Sequence, residues 1–287
     1  MDYFVDLHLH SSYSDGIHKP ADLVAMAAEK GLRAIALADH DSVEGIDEAL
    51  EAGNLFGVEV IPAVELSVEF TKFHDVHLLG YHINHHDRDF LRKLAEFRVR
   101  RDHRGQAIIA NINALLELHK KGNISYEEAT ALAEGALGRP HIARILIEKG
   151  FARDMQDAFV RYLEPCDVPK LYFPMEEALA EIRRLHGIAV LAHPTSITEE
   201  RKELTKVVGD LAAMGLDGLE VYNNMCRNDD MSFLERLAGD LGLVMTGGSD
   251  FHGIEAGIEI GVGRGQLAVP YRAVESLKRR RKELGNV

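Results

Sequence analysis

Residues 3–16 read YFVDLHLHSSYSDG, and the fold follows from how that stretch is understood. Its first half is a short apolar run suited to a β-strand, expected from Tyr3 to His8. Side chains on a strand alternate between faces, so His8 and His10 point one way and Leu9 the other. Asp6 shares the histidine face but is the weaker candidate ligand. Asp15 follows in a polar loop, where Gly16 permits a tight turn. A strand that delivers imidazoles into such a loop is how a parallel barrel places reactive groups at the C-terminal ends of its strands.

The same arrangement recurs along the chain. AIALADHDS (34–42) is a buried run ending in Asp39, His40 and Asp41, and VEVIPAVEL (58–66) brings Glu65 to its end. DVHLLGY (75–81) carries His77 on one face with Leu79 and Tyr81, with His74 as a competitor. IAVLAHP (188–194) ends in His193, and LVMTGGSDFH (243–252) ends in Asp250 and His252. A lone histidine after a strand is more often hydrogen-bonded or exposed than a metal ligand. Six packets of this kind are better explained by a metal site. Imidazole and carboxylate without thiolate suit Mn, Zn or Fe and hydrolytic chemistry.

Strands are expected at Tyr3–His8, Ala34–Ala38, Val58–Glu65, Val76–Tyr81, Ile188–Ala192, Leu219–Tyr222 and Leu243–Thr246. Helices are expected at Pro20–Lys30, Ser42–Gly53, Met175–His186, Glu199–Met214 and Ser232–Leu241. Alternating strand and helix implies βα units, a parallel sheet and a closed or nearly closed barrel. The alternation stops between about Arg98 and Pro165, where one long helical pattern is followed by shorter ones. Ser125 with Glu128 forms a capping box there, and Gly122, Gly135, Gly138 and Gly150 punctuate. This segment reads as a helical insertion. The basic C-terminal stretch SLKRRRKEL (276–284) reads as a solvated helix face.

With 287 residues, 46% hydrophobic and 28% charged, the chain suits one large α/β domain with an insertion. It has no apolar run of membrane-spanning length, and a cytoplasmic location is expected. Cys166 and Cys226 are its only cysteines, so no disulfide framework is implied. A formal net charge of −13 argues against a broad grip on duplex nucleic acid, though not against a small phosphorylated substrate or a strand end held locally.

In the order HLHSSYSDG, ADHD, HLLGY, AHP and SDFH, the sequence resembles the PHP (polymerase and histidinol phosphatase) family. All nine of that family's usual ligand positions are matched. GRPHIARIL (138–146) further resembles its subgroup of nucleotide phosphatases and 5′→3′ exoribonucleases. The resemblance implies an α/β fold, a distorted seven-stranded (β/α)7 PHP barrel with a helical insertion domain. The barrel would be discontinuous, residues 1–97 and 167–287, around an insertion at 98–166. It also implies three divalent metal ions (Mn, Zn or Fe). His8, His10, Glu65 and Asp250 would hold one, Glu65, His77 and His193 the second, and Asp15, His40 and His252 the third.

Three carboxylates against three divalent ions would leave about +3 in the pocket of an acidic protein. Such a pocket suits a phosphate ester attacked by a hydroxide bridging the metals. Arg139 and His141 could reach phosphate from the insertion, or simply hold a helix start. Lys170, in VPKLYF, and Asn223, after LEVY, are further candidate substrate contacts. Arg98, Arg101 and Arg104 recur on one helix and read as a solvated face. Asp39 and Asp41 read as capping residues or as supports of the ligands, with a role for either in orienting a metal-bound histidine.

The expected function is metal-dependent hydrolysis of nucleotide phosphate esters. The substrate would be a 3′,5′-bisphosphate nucleotide losing its 3′-phosphate, or a short single-stranded RNA trimmed 5′→3′. The rival activity is histidinol-phosphate phosphatase, against which GRPH and the large insertion speak. The rival class is a non-catalytic metal-binding PHP module, which would be expected to have lost ligands.

Overall fold

Strand and helix alternate from the start of the computed structural model, which describes residues 4–132 and 137–285. Tyr3 and Gly135 lie outside the described residues. The first units are β1 (Phe4–Leu9), α1 (Pro20–Glu29), β2 (Ala34–Leu37), α2 (Ile46–Phe56) and β3 (Glu59–Phe70). β4 (Phe73–Tyr81) then leads into the 31-residue α3 (Arg88–Leu118). Short helices follow: α4 (Tyr126–Thr130), α5 (Arg139–Glu148) and α6 (Met155–Ala158). Alternation resumes with β5 (Phe173–Pro174), α7 (Met175–Arg184), β6 (Ile188–Leu191), α8 (Arg201–Met214) and β7 (Gly218–Tyr222). α9 (Asn228–Leu241), β8 (Val244–Gly247), β9 (Val269–Pro270) and α10 (Arg272–Glu283) complete the chain.

The described strands form one nine-stranded sheet in the order β8-β7-β6-β4-β3-β2-β1-β9, with β5 added to β3. β5 and β9, two residues each, were not among the expected strands. The sheet nearly closes on itself. Phe251, just after β8, bridges to Leu9, and the Ser249 N–H donates to the Asp6 carboxylate at 2.9 Å. The approach is tight at Gly248, where any side chain would collide with the His8 backbone.

The sheet is mixed, not parallel. β4 runs antiparallel to both β3 and β6, and β9 antiparallel to β1. The reason is a tight turn: β3 continues past Glu65 to Phe70, reverses through Thr71 in a left-handed conformation (φ 54°), and returns at once as β4. A parallel neighbour would need a crossover helix, for which this turn leaves no residues. Glu65 and His77 therefore sit within long strands, Ser67 pairing with His77, and not at strand ends. α2 begins at Ile46 instead of Ser42, because residues 39–45 form the loop that carries His40 and Asp41.

Small and branched side chains fill the barrel: Val5, Leu7, Ala34, Ala36, Ile61, Ala63, Leu79 and Val190 are buried together. Tyr81 crosses this interior and donates its hydroxyl to the Leu7 carbonyl at 2.8 Å. Each buried valine, leucine or isoleucine among them stabilises the fold by ~1.5–3 kcal/mol, and each alanine by less than ~1 kcal/mol. A separate apolar cluster joins α3, α5 and the 158–166 segment through Ile108, Ile112, Leu116, Ile142, Leu146 and Leu163. The Ser125–Glu128 capping box is present at the start of α4. Among the described residues no helix is long and apolar enough to cross a membrane.

Candidate metal centre

β1 ends in the middle of the site. His8 and His10 are both fully buried, and their Nε2 atoms each lie 3.3 Å from Glu65 Oε2. The same two atoms lie 3.6 and 3.1 Å from Asp250 Oδ1. The other oxygen of Glu65 meets His77 Nδ1 at 3.0 Å and His193 Nε2 at 3.2 Å, and those two nitrogens are 3.1 Å apart. His40 Nδ1 is 2.9 Å from Glu65 Oε2, while its Nε2 faces Asp15 at 3.8 Å. His252 Nε2 is 3.2 Å from Asp15, and its ring stacks on His10 with centroids 4.1 Å apart. The structure thus brings all nine residues together, with Glu65 at the centre. His74 is exposed and pairs with Glu69 instead.

Two of the nine sit where the backbone is strained. His193 (φ 24°) and Asp250 (φ 52°) occupy left-handed conformations just beyond β6 and β8. Such conformations cost of order 1–3 kcal/mol each and persist only where surrounding contacts enforce them.

The donor set fits divalent cations. His8 Nε2, both ring nitrogens of His10, Asp15 Oδ1, His40 Nδ1, Glu65 Oε2 and His77 Nε2 are buried without a hydrogen-bond partner. Ligands ~2.0–2.1 Å from one tetrahedral ion sit roughly 3.3–3.4 Å from each other, close to the separations found here. Burial by itself would raise the Glu65, Asp15 and Asp250 carboxyls, but the facing imidazoles hold all three well below the usual carboxylate range. Burial also pushes His40 down to about 4, against the pull of Glu65 and Asp15. Against burial, the same carboxylates raise His77 to about 9 and His252 to about 10, so in the absence of an ion protons on the imidazoles balance the charge that a cation would neutralise.

Three buried carboxylates brace this rim. Glu220, on β7, is fully buried; one oxygen faces His8 Nδ1 at 2.9 Å, and the other accepts the His193 N–H at 2.7 Å. Asp39 accepts from the Ser11 N–H and from the Ser11 and Ser14 hydroxyls at 2.6–2.7 Å, fixing the loop that carries Asp15. Asp6 accepts from the His8, Ser249 and Gly261 N–H groups. Glu220 was missed in the sequence. The available signal was an acid inside the apolar strand GLEVY, where a charge needs a partner. Asp41 holds the Ser67 N–H and Arg101 instead of orienting an imidazole.

The rim opens into a cleft of about 150 Å³ lined by Asp15, His40, His77, Arg101, Arg104, Arg139 and Lys170. Arg101 and Arg104 are therefore not a solvated face. Arg101 pairs with Asp41 at 2.7 Å and donates to the His40 carbonyl, and Arg104 pairs with Asp167 and the Val168 carbonyl. Only Arg98 keeps a peripheral position, paired with Glu44. Charges alternate along one cleft wall: Arg104, Asp167, Arg139, Asp75, Lys170. The last three links measure 3.3, 3.6 and 2.8 Å. Asp75 also faces His77 Nε2 at 3.7 Å. Burial works against ionisation of Asp75, yet His77 and Lys170 hold its carboxyl far below the usual range.

The other two candidate substrate contacts are buried, His141 against the Gly138 edge of the cleft and Asn223 beyond β7. His141 is buried, and its Nδ1 accepts the Gly138 N–H at 3.0 Å, closing the first turn of α5. Asn223 is buried as well; it donates to the Glu220 carbonyl and accepts the Met225 N–H, closing the turn after β7.

Residues 6–176 match the model of the PHP domain family. The chain is 33% identical over 259 residues to a 5′-3′ exoribonuclease of Haemophilus influenzae, covering 89% of this chain and 92% of that protein. It is 31% identical over 265 residues to a 3′,5′-nucleoside bisphosphate phosphatase of Chromobacterium violaceum, covering 90% of each. It superposes with a TM-score of 0.84 on the crystal structure of a metal-dependent phosphoesterase of Bifidobacterium adolescentis, at 26% identity, covering 97% of this chain and 96% of that one.

Proposed function

This chain belongs to the PHP domain family and is a metal-dependent phosphoric ester hydrolase; from that premise we propose that it acts on nucleotides at the cleft beside Glu65. Its substrate is a 3′,5′-bisphosphate nucleotide, which loses the 3′-phosphate, or a short single-stranded RNA trimmed from its 5′ end. The observation that carries this reading is one carboxylate, Glu65, shared by five histidines beside a cleft walled by Arg139 and Lys170. The named relatives act on substrates of both kinds.

Three divalent ions fit the donor set. His8, His10, Glu65 and Asp250 would hold one, Glu65, His77 and His193 a second, and Asp15, His40 and His252 a third. When bound, the ions supply Lewis acidity, neutralising phosphate charge and making water a competent nucleophile near neutral pH. The chain's own groups do the rest. Glu220 fixes the His8 ring so that Nε2 faces inward. Ser196 does the same for His193, its hydroxyl 2.9 Å from Nδ1. Arg139 and Lys170 bind the non-bridging phosphate oxygens by exchanging Asp75 and Asp167 for substrate. An Arg fork matches phosphate geometry, so this exchange orients the ester.

We assign residues 1–97 and 167–287 to the barrel and 98–166 to an insertion. The separate apolar cluster of α3, α5 and the 158–166 segment supports this division. The two cysteines, both buried and unpaired, are consistent with a cytoplasmic setting.

The test is phosphate release from adenosine 3′,5′-bisphosphate, and mononucleotide release from a 5′-phosphorylated RNA of a few residues, by metal-loaded protein. Turnover on either substrate is expected, and it should fall at least about a hundredfold in His8→Ala with the fold retained by circular dichroism. No turnover on both substrates overturns the proposal.

A further inference from the structure

A second group of metal-ligating side chains lies outside the centre built around Glu65. Asp47 stands in the first turn of α2, and His85 and His86 stand between β4 and α3. His85 Nε2 is 3.0 Å and His86 Nε2 3.4 Å from the same oxygen, Asp47 Oδ1. The two rings lie with centroids 4.1 Å apart. We propose that Asp47, His85 and His86 bind a first-row d-block divalent cation, zinc being the representative, at a site separate from the catalytic metals.

Three observations carry this. The first is spacing. Ligands ~2.0–2.1 Å from a tetrahedral ion sit roughly 3.3–3.4 Å apart, and the two nitrogen-to-oxygen separations bracket that value. The second is donor chemistry. Two imidazoles and one carboxylate select Zn, Ni, Cu or Co over Ca or Mg, which prefer all-oxygen sets. Solvent would complete the shell, because the Asp47 and His86 side chains are 60% and 66% exposed while His85 is only 12% exposed.

The third is pre-organisation. The Asn84 N–H donates to the Leu185 carbonyl, and the Asn84 side chain accepts the His86 N–H. Asp87 caps α3 through the Phe90 N–H and holds Arg184 with both carboxylate oxygens at 2.7 and 3.0 Å. On the other side Ile46, next to Asp47, is buried in the same apolar core as Phe90. The segments that present the ligands are thus fixed before an ion arrives, which lowers the entropic cost of binding. An occupied site would tie α2 to the entry of α3, the helix whose Arg101 and Arg104 line the catalytic cleft.

The competing reading is a plain histidine–aspartate contact with no metal. The experiment uses full-length protein equilibrated in zinc-buffered solution. Zinc per chain is measured for the wild type, for His85→Ala/His86→Ala and for Asp47→Asn, and modification of His86 by diethyl pyrocarbonate is mapped by mass spectrometry with and without zinc. The double variant is expected to bind one zinc fewer per chain and to keep wild-type phosphoesterase turnover. Zinc should shield His86 in the wild type and lose that effect in Asp47→Asn. Equal zinc content in all three proteins, or His86 labelling that zinc does not change, overturns the proposal. Either result is independent of which phosphate ester the enzyme cleaves.

Discussion

Glu220 meets the His8 ring with one carboxylate oxygen and the His193 backbone with the other, so one buried side chain joins two ligand segments that are distant in sequence. Removing it leaves a ring nitrogen and a backbone donor unpaired in the barrel. Glu220→Ala is expected to weaken metal binding by roughly 10–100-fold, with Glu220→Gln intermediate because the amide preserves shape but not charge. Metal titration of activity checks this: turnover should recover at saturating metal if Glu220 only positions its neighbours, and an unchanged metal requirement would contradict its role. His82 offers a second test at this scale. Burial, with Arg281 and Lys278 nearby, pushes its imidazole down to about 4. Between pH 4 and about 6.5 the unfolded chain therefore binds more protons at this residue than the folded one. Stability should fall as pH drops through about 6.5 and level off below 4, by ~1–2 kcal/mol after solvent screening. His82→Asn, which tolerates the left-handed backbone (φ 56°), should flatten that part of the denaturation profile. Equal pH slopes in both proteins would refute the assignment. The motif residues were legible because imidazoles and carboxylates that recur beside apolar strands are characteristic of metal ligation. Asp75 and Asp167 were not, because an isolated acid carries no sign of what it will face; Glu220, inside an apolar strand, showed that it needs a partner but not which one.

At the scale of elements, the β3–β4 hairpin is the departure that matters most. Apolar runs identify strands but not their direction, and direction here depends on a turn too short to hold a helix. Because β4 runs back down, His77 reaches Glu65 from within a strand and Asp75 projects beside it toward Lys170. α3 was legible as a long helix, yet its arginines looked solvated because periodicity shows a face without showing what covers it. Barrel closure rests on the segment after β8 passing against β1. Gly248→Ala places a methyl group against the His8 backbone, where no side chain can yield. Loss of about 2–4 kcal/mol is expected, together with reduced metal affinity from displacement of His8 and Asp250. Urea denaturation with parallel metal titration checks both, and a fully stable Gly248→Ala protein would show that the seam can open without cost.

For the whole molecule, metal occupancy and folding should be linked. Glu65, Asp15 and Asp250 are three ionised carboxylates in a buried rim, and bound cations stabilise only the folded arrangement. Chelation is expected to abolish turnover and to lower stability by ~3–4 kcal/mol relative to protein with metal at a hundred- to thousandfold excess over Kd, reversibly on metal addition. Calorimetry before and after chelation measures it, and an unchanged Tm would mean that the imidazoles alone balance the rim. The net charge of −13 is compatible with an anionic substrate if Arg139 and Lys170 exchange their partners Asp75 and Asp167 for it. Strand periodicity and ligand chemistry are local properties, so the βα alternation, the nine imidazole and carboxylate positions and the long helix from about Arg98 onward could be read along the chain, though α3 begins ten residues earlier, at Arg88. Folding settled what the spacing could not: β4 is antiparallel, His141 and Asn223 close turns, and Asp75 and Asp167 occupy the cations of the cleft. Those outcomes depend on which distant segments meet, and contact across the barrel leaves no mark on the spacing of residues along the chain.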